Sequence, residues 1–90
     1  MRVLWSLRAE AQLVEIEDYI AADDPDAAQR WIERLRDRMR RAARVPRAGR
    51  KVPELDRDEI REVFVERYRI VCRIEARAIV VLGVFEGPFE

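Results

Sequence analysis

The chain has 90 residues, 49% apolar and 40% charged, with 18 basic and 18 acidic side chains and a formal net charge of zero. That length fits one domain, 1–90, which buries roughly 60–65% of its unfolded surface, and a charged share well above the usual ~25% has to decorate the outside. With no histidine and one cysteine, Cys72, the sequence excludes an intrachain disulfide and a serine–histidine triad, and neither a metal nor a cofactor is expected.

Arg2–Trp5 reads as a short strand. Its apolar burst is cut off by Ser6 and then by charges, so it does not read as a targeting signal. No run approaches the ~20 apolar residues of a membrane helix, and a reducing, cytoplasmic home is expected. Ser6 is a suitable N-cap. In Leu7–Ala22, Ala9, Leu13, Ile16 and Ile20 fall on one helical face, and Glu10, Glu15, Glu17 and Asp18 take the rest. Asp24-Pro25 restarts the helix, with Asp24 as cap and Pro25 in the first turn. The second helix runs from about Pro25 to Arg44 along a stripe of Ala28, Ile32, Leu35, Met39 and Ala42. The connection 22–24 is so short that the two helices must form an antiparallel hairpin.

Pro46, Gly49 and Pro53 break regular structure across Val45–Glu59. Three strands then follow: Arg61–Val65, Tyr68–Ile74 and Ala78–Phe85. Glu66-Arg67 and Glu75–Arg77 are the turns of an antiparallel meander. In the second strand Tyr68, Ile70, Cys72 and Ile74 share one side, with Arg69, Val71 and Arg73 on the other. Ala78–Phe85 is apolar on both sides and reads as the most buried strand. The fold class is therefore α+β: a short N-terminal strand, an antiparallel two-helix hairpin, and a three-stranded antiparallel meander packed on the helices.

Positive charge is concentrated. Arg30–Lys51 holds ten basic residues against Glu33 and Asp37, a net +8, whereas residues 1–29 carry −5 and residues 52–90 carry −3. Local pairs such as Arg30 with Glu33 and Glu33 with Arg36 leave most of these arginines uncompensated. Such a helix is either a solubilising face or the docking site of an acidic protein, RNA or DNA. Trp31 is its sole aromatic and borders the apolar seam, so single-strand stacking is not suggested, and a protein partner or self-neutralisation is favoured. The carboxylate pairs Glu15/Asp18, Asp23/Asp24 and Asp58/Glu59 are explained as solvated faces or caps.

Several pieces in this order resemble the RelE/ParE superfamily of type II toxin–antitoxin toxins. They are Ala9, Leu13, Ile16, Tyr19 and Ile20; Asp24-Pro25 with Ala27-Ala28; Pro46, Gly49-Arg50 and Val52-Pro53-Glu54; and Arg61-Glu62 with Tyr68-Arg69-Ile70. The resemblance is closer to the ParE-like branch. It implies a toxin that binds and inhibits DNA gyrase without catalysis. It also implies a cognate antitoxin, small and with an acidic C-terminal segment, bound in a hetero-oligomer. The alternatives are a RelE-like ribosome-dependent nuclease, for which Arg61 and Arg69 would be the candidate catalytic residues, or an inactive relative kept as a binding module. The C-terminal run Phe85–Glu90 supplies no Arg, His or Tyr, and Glu86 and Glu90 would repel RNA, which argues against cleavage. The expected partner-binding residues are Arg61, Arg69, Val71, Arg73, Leu82 and Val84.

Overall fold

A computed structural model of the protein describes residues 1–88. Phe89 and Glu90, part of the acidic tail invoked above, lie outside the described residues. The elements in chain order are β1 (Arg2–Trp5), α1 (Leu7–Ala21), α2 (Pro25–Ala42), a 3₁₀ turn (Pro46–Ala48), β2 (Arg50–Lys51), β3 (Ile60–Val65), β4 (Tyr68–Ile74) and β5 (Ala78–Glu86).

Local chemistry explains the helix ends. Ser6 Oγ accepts from the Ala9 N–H at 3.0 Å, and Asp24 Oδ1 accepts from the Ala27 N–H at 3.1 Å. Each bond satisfies one of the donors that a helix start leaves open. Pro25 sits in the first turn, where its missing N–H costs nothing. The second helix ends at Ala42, with Ala43 as its cap, two residues before the predicted Arg44.

The sheet has five strands in the order β1-β5-β4-β3-β2. The meander β3-β4-β5 is antiparallel, as the turn signals require. Two additions extend it. β1 pairs parallel with β5, Arg2 opposite Ala78 and Trp5 opposite Val81. β2 pairs antiparallel with β3, Arg50 opposite Glu62 and Lys51 opposite Arg61. The sheet is thus mixed, and part of the connector read as irregular is its edge. Two residues are too few to show a period, so β2 left no pattern in the sequence.

Both helices cover one sheet face. Leu13, Leu35 and Met39 join Val63, Ile70, Cys72, Ile79 and Val81 in one buried cluster, with Tyr68 closing one end. Completely buried aliphatic side chains such as Leu35 contribute about 1.5–3 kcal/mol each relative to exposure. Among the described residues, no helix is long and apolar enough to cross a membrane.

One irregularity changes which way β5 faces. Val71 pairs with Gly83 but Cys72 pairs with Val81, so Leu82 is the extra residue of a bulge. Ile79 and Val81 point to the core before it, and Val84 points there after it. A bulge of one residue flips the side-chain parity downstream. Val84 was expected beside Leu82 on the partner-binding side; it is instead a core residue, 3% exposed.

Candidate partner-binding face

The strand registers define the sheet face that the helices leave open. Cross-strand partners share a face, so Ile60, Glu62 and Phe64 of β3 lie with Arg73, Val71 and Arg69 of β4. Val80 of β5 lies opposite Arg73, and Leu4 of β1 opposite Val80. Three of the six expected partner residues are therefore together here: Arg69, Val71 and Arg73. Leu82, at the bulge, is half-buried. Leu4 and Phe64 are exposed, and Val71 and Val80 are half-buried, which gives an apolar strip across the sheet.

A charged cluster lies beside the strip. Glu62 is only 3% exposed, and Arg69 Nε donates to its Oε1 at 2.7 Å while Arg50 Nε approaches its Oε2 at 3.3 Å. Arg69 also reaches Glu54 at 3.9 Å. Burying a carboxylate is costly unless it is paired and hydrogen-bonded, and the two guanidiniums meet that need. With Pro53, Phe64 and Pro88 these residues line a cleft of about 380 Å³. At the far end of the face, Arg73 is held by Glu75, with Nη2 at 2.7 Å. The sequence reading missed Glu62, Phe64 and Arg50. The alternation Ile60, Glu62, Phe64 against Arg61, Val63, Val65 was the available signal.

Arg61 is not on this face. Its register places it opposite Cys72, on the helix side, and it is 8% exposed. Its guanidinium donates to three backbone carbonyls, from Nε to Asp58 O at 2.9 Å and from Nη1 to Arg47 O at 2.7 Å and Gly49 O at 2.9 Å. Nη2 donates to Asp58 Oδ1 at 2.7 Å. Asp58 in turn pairs with Arg47. Arg61 therefore clamps the connector to β3, and its donors are turned away from any partner on the open face. This corrects its expected place among the partner-binding and candidate catalytic residues.

The helix side holds a second arginine network. Arg36 forms a two-pronged pair with Glu10 of α1, at 3.2 and 3.1 Å, and stacks 5.1 Å from the Trp5 ring. Glu33 was expected to pair with Arg30 or Arg36; it lies 3.9 Å from Arg40 instead. Arg36 points across the helix hairpin, where a buried-edge carboxylate offers a stronger two-bond partner than an exposed neighbour on its own helix. Trp31 packs edge-on to Tyr68 at 5.3 Å, with Arg34 at 4.5 Å from its ring. Cys72 is buried, and that burial pushes its thiol pKa up from 9.0 to about 11. A thiol held neutral in a core has no nucleophilic role.

A family model described as the ParE toxin of a type II toxin–antitoxin system, parDE, matches residues 3–87. A curated candidate toxin, Y4kP of Sinorhizobium fredii (strain NBRC 101917 / NGR234), is 45% identical over 49 residues. The aligned stretch is 54% of this chain and 51% of the relative, so the match spans about half the length of each. A solved chain of the chromosomal ParDE TA system from P. aeruginosa has the same fold. It superposes with a TM-score of 0.80 at 20% identity, over 98% of this chain and 97% of that one.

Proposed function

The chain belongs to the ParE toxin family of type II toxin–antitoxin systems, and from that premise we propose that it inhibits DNA gyrase by binding and is neutralised by a cognate antitoxin. The antitoxin segment lies on the open sheet face. The observation that carries this is the make-up of that face. An apolar strip of Leu4, Val71, Val80 and Phe64 runs beside Arg69 and Arg73. A partial apolar surface edged by guanidiniums, bridged to Glu62 and Glu75 in the free chain, fits an amphipathic segment whose acidic side chains join those bridges. The absence of histidine from the sequence and the commitment of Arg61 to the connector support binding over catalysis.

Two measurements test it. Co-expression with the neighbouring small reading frame should give a complex that co-purifies. Induction of the toxin alone should stop DNA synthesis and raise the DNA-damage response while protein synthesis continues. An early block in protein synthesis would overturn the gyrase reading. Messenger RNA cleavage is the second reading, and the cleft where Phe64 stands beside Arg50 and Arg69 is what favours it. Primer extension on messenger RNA after induction separates the two; cuts that vanish in Arg69→Ala would establish cleavage.

A further inference from the structure

We propose that the outer face of α2 binds the backbone of duplex DNA without reading its sequence. At 100° per residue, Arg30, Arg34 and Arg41 of α2 fall within one stripe opposite the buried Ala28, Leu35 and Met39, with Asp37 inside it, the half-buried Arg38 at its edge and Arg44 just past the helix end at Ala42. Arg34 is paired with Glu66 and Arg41 with Asp37. Arg30, Arg38 and Arg44 form no ion pair among the described residues. From Arg30 to its last residue, Ala42, the helix rises about 18 Å at 1.5 Å per residue, the axial length of about five base pairs.

The composition of the face selects the class of partner. A protein interface has an apolar or aromatic centre. Among the described residues, the exposed large apolar side chains are Met1, Leu4, Leu7, Val14, Tyr19, Val45, Leu55 and Phe64, and none lies on α2. The stripe offers charge with nothing to bury, which suits a polyanion. Single-stranded nucleic acid would need aromatic platforms, and Trp31 is turned inward against Tyr68. Arginine can also contact guanine edges, but the stripe carries no Asn, Gln, Ser or Thr to read the other bases. What remains is phosphate contact along a duplex. This surface is separate from the open sheet face, because the two lie on opposite sides of the sheet. It therefore remains available when an antitoxin covers that face.

The test is fluorescence anisotropy of a labelled, random-sequence duplex of about 20 base pairs, titrated with the full-length toxin at several salt concentrations. Three uncompensated arginines predict a log–log salt slope near −2.7, so affinity falls about 40-fold between 50 and 200 mM salt. The variant Arg30→Gln/Arg38→Gln/Arg44→Gln should lose that slope, with its helical circular dichroism intact. The control Arg8→Gln/Arg57→Gln/Arg77→Gln should keep it. A wild-type slope shallower than about −1 would overturn the proposal whatever the variants do. So would a stripe variant that binds duplex normally but no longer co-purifies with the antitoxin, since the arginines would then serve a protein.

Discussion

Replacing Arg61 with methionine should destabilise the fold far more than it alters partner recognition. Arg61→Met keeps the stem volume and removes four donated hydrogen bonds, three to carbonyls and one to Asp58. Bonds from a charged donor contribute about 1.5–3 kcal/mol each, but they are not additive. Asp58 is 60% exposed, so its share is small after solvent screening. The carbonyls of Arg47 and Gly49 bend toward β3 and would lose their donor in a half-buried turn, at about 1–2 kcal/mol each. A total near 3 kcal/mol follows, which lowers the melting temperature by about 15 °C in a domain of this size. Arg61→Lys should recover only part of the loss, because one ammonium cannot reach three divergent acceptors. Thermal unfolding by circular dichroism measures this. A drop under about 3 °C for Arg61→Met would refute the clamp and return Arg61 to the candidates for direct contact.

Other outcomes follow from the same structure. Cys72 should resist thiol reagents near pH 8 until the protein unfolds, read by the rate of labelling with and without urea. Its folded pKa is raised, so between about 9 and about 11 the native state keeps a proton that the unfolded chain releases. The Cys72 contribution to stability should be constant below about pH 9 and fall above it, and Cys72→Ala should remove that part of the fall in urea titrations. Trp31→Ala deletes the ring packed on Tyr68 and under Arg34; urea denaturation should show a loss of about 3 kcal/mol. Val71→Asp puts a charge in the middle of the open apolar strip. It should abolish antitoxin co-purification while leaving the circular dichroism spectrum unchanged, and wild-type recovery of the complex would place the antitoxin elsewhere.

Most of the fold was legible because its signals are local. Ser6 and Asp24 cap helices within three residues of themselves, and the alternation along Tyr68–Ile74 marks the core face with no outside information. What escaped was non-local. The parallel pairing of β1 with β5 joins residues about 75 positions apart, and no periodicity reports a partner. The bulge at Leu82 lies in a strand apolar on both faces, so its parity switch is invisible and Val84 was assigned to the wrong side. Arg61 shows the same limit in chemical form. A strand arginine beside Glu62 looks like a surface cation until the connector carbonyls are seen to converge on it. On the candidate site, Arg69, Val71 and Arg73 were found from alternation alone, whereas Glu62 and Phe64 needed the same rule applied to β3.

The basic residues are almost all arginine; Lys51 is the single lysine. That choice has a physical consequence for how this small chain holds together. Arg61 feeds several acceptors at once, Arg36 grips Glu10 with two bonds while covering Trp5, and Arg34 lies on the Trp31 ring. Each of these uses the planar fork or the flat face of a guanidinium, which an ammonium lacks. A domain this short has little apolar core to spare, and arginines spanning between elements supplement it. Charge patterning in the sequence therefore mixes two populations. One is consumed inside the fold, at Arg36, Arg61 and Arg69. The other, at Arg30, Arg38 and Arg44, forms no ion pair among the described residues. A net charge of zero reports neither, and only the second population sets what the outer face of α2 can attract.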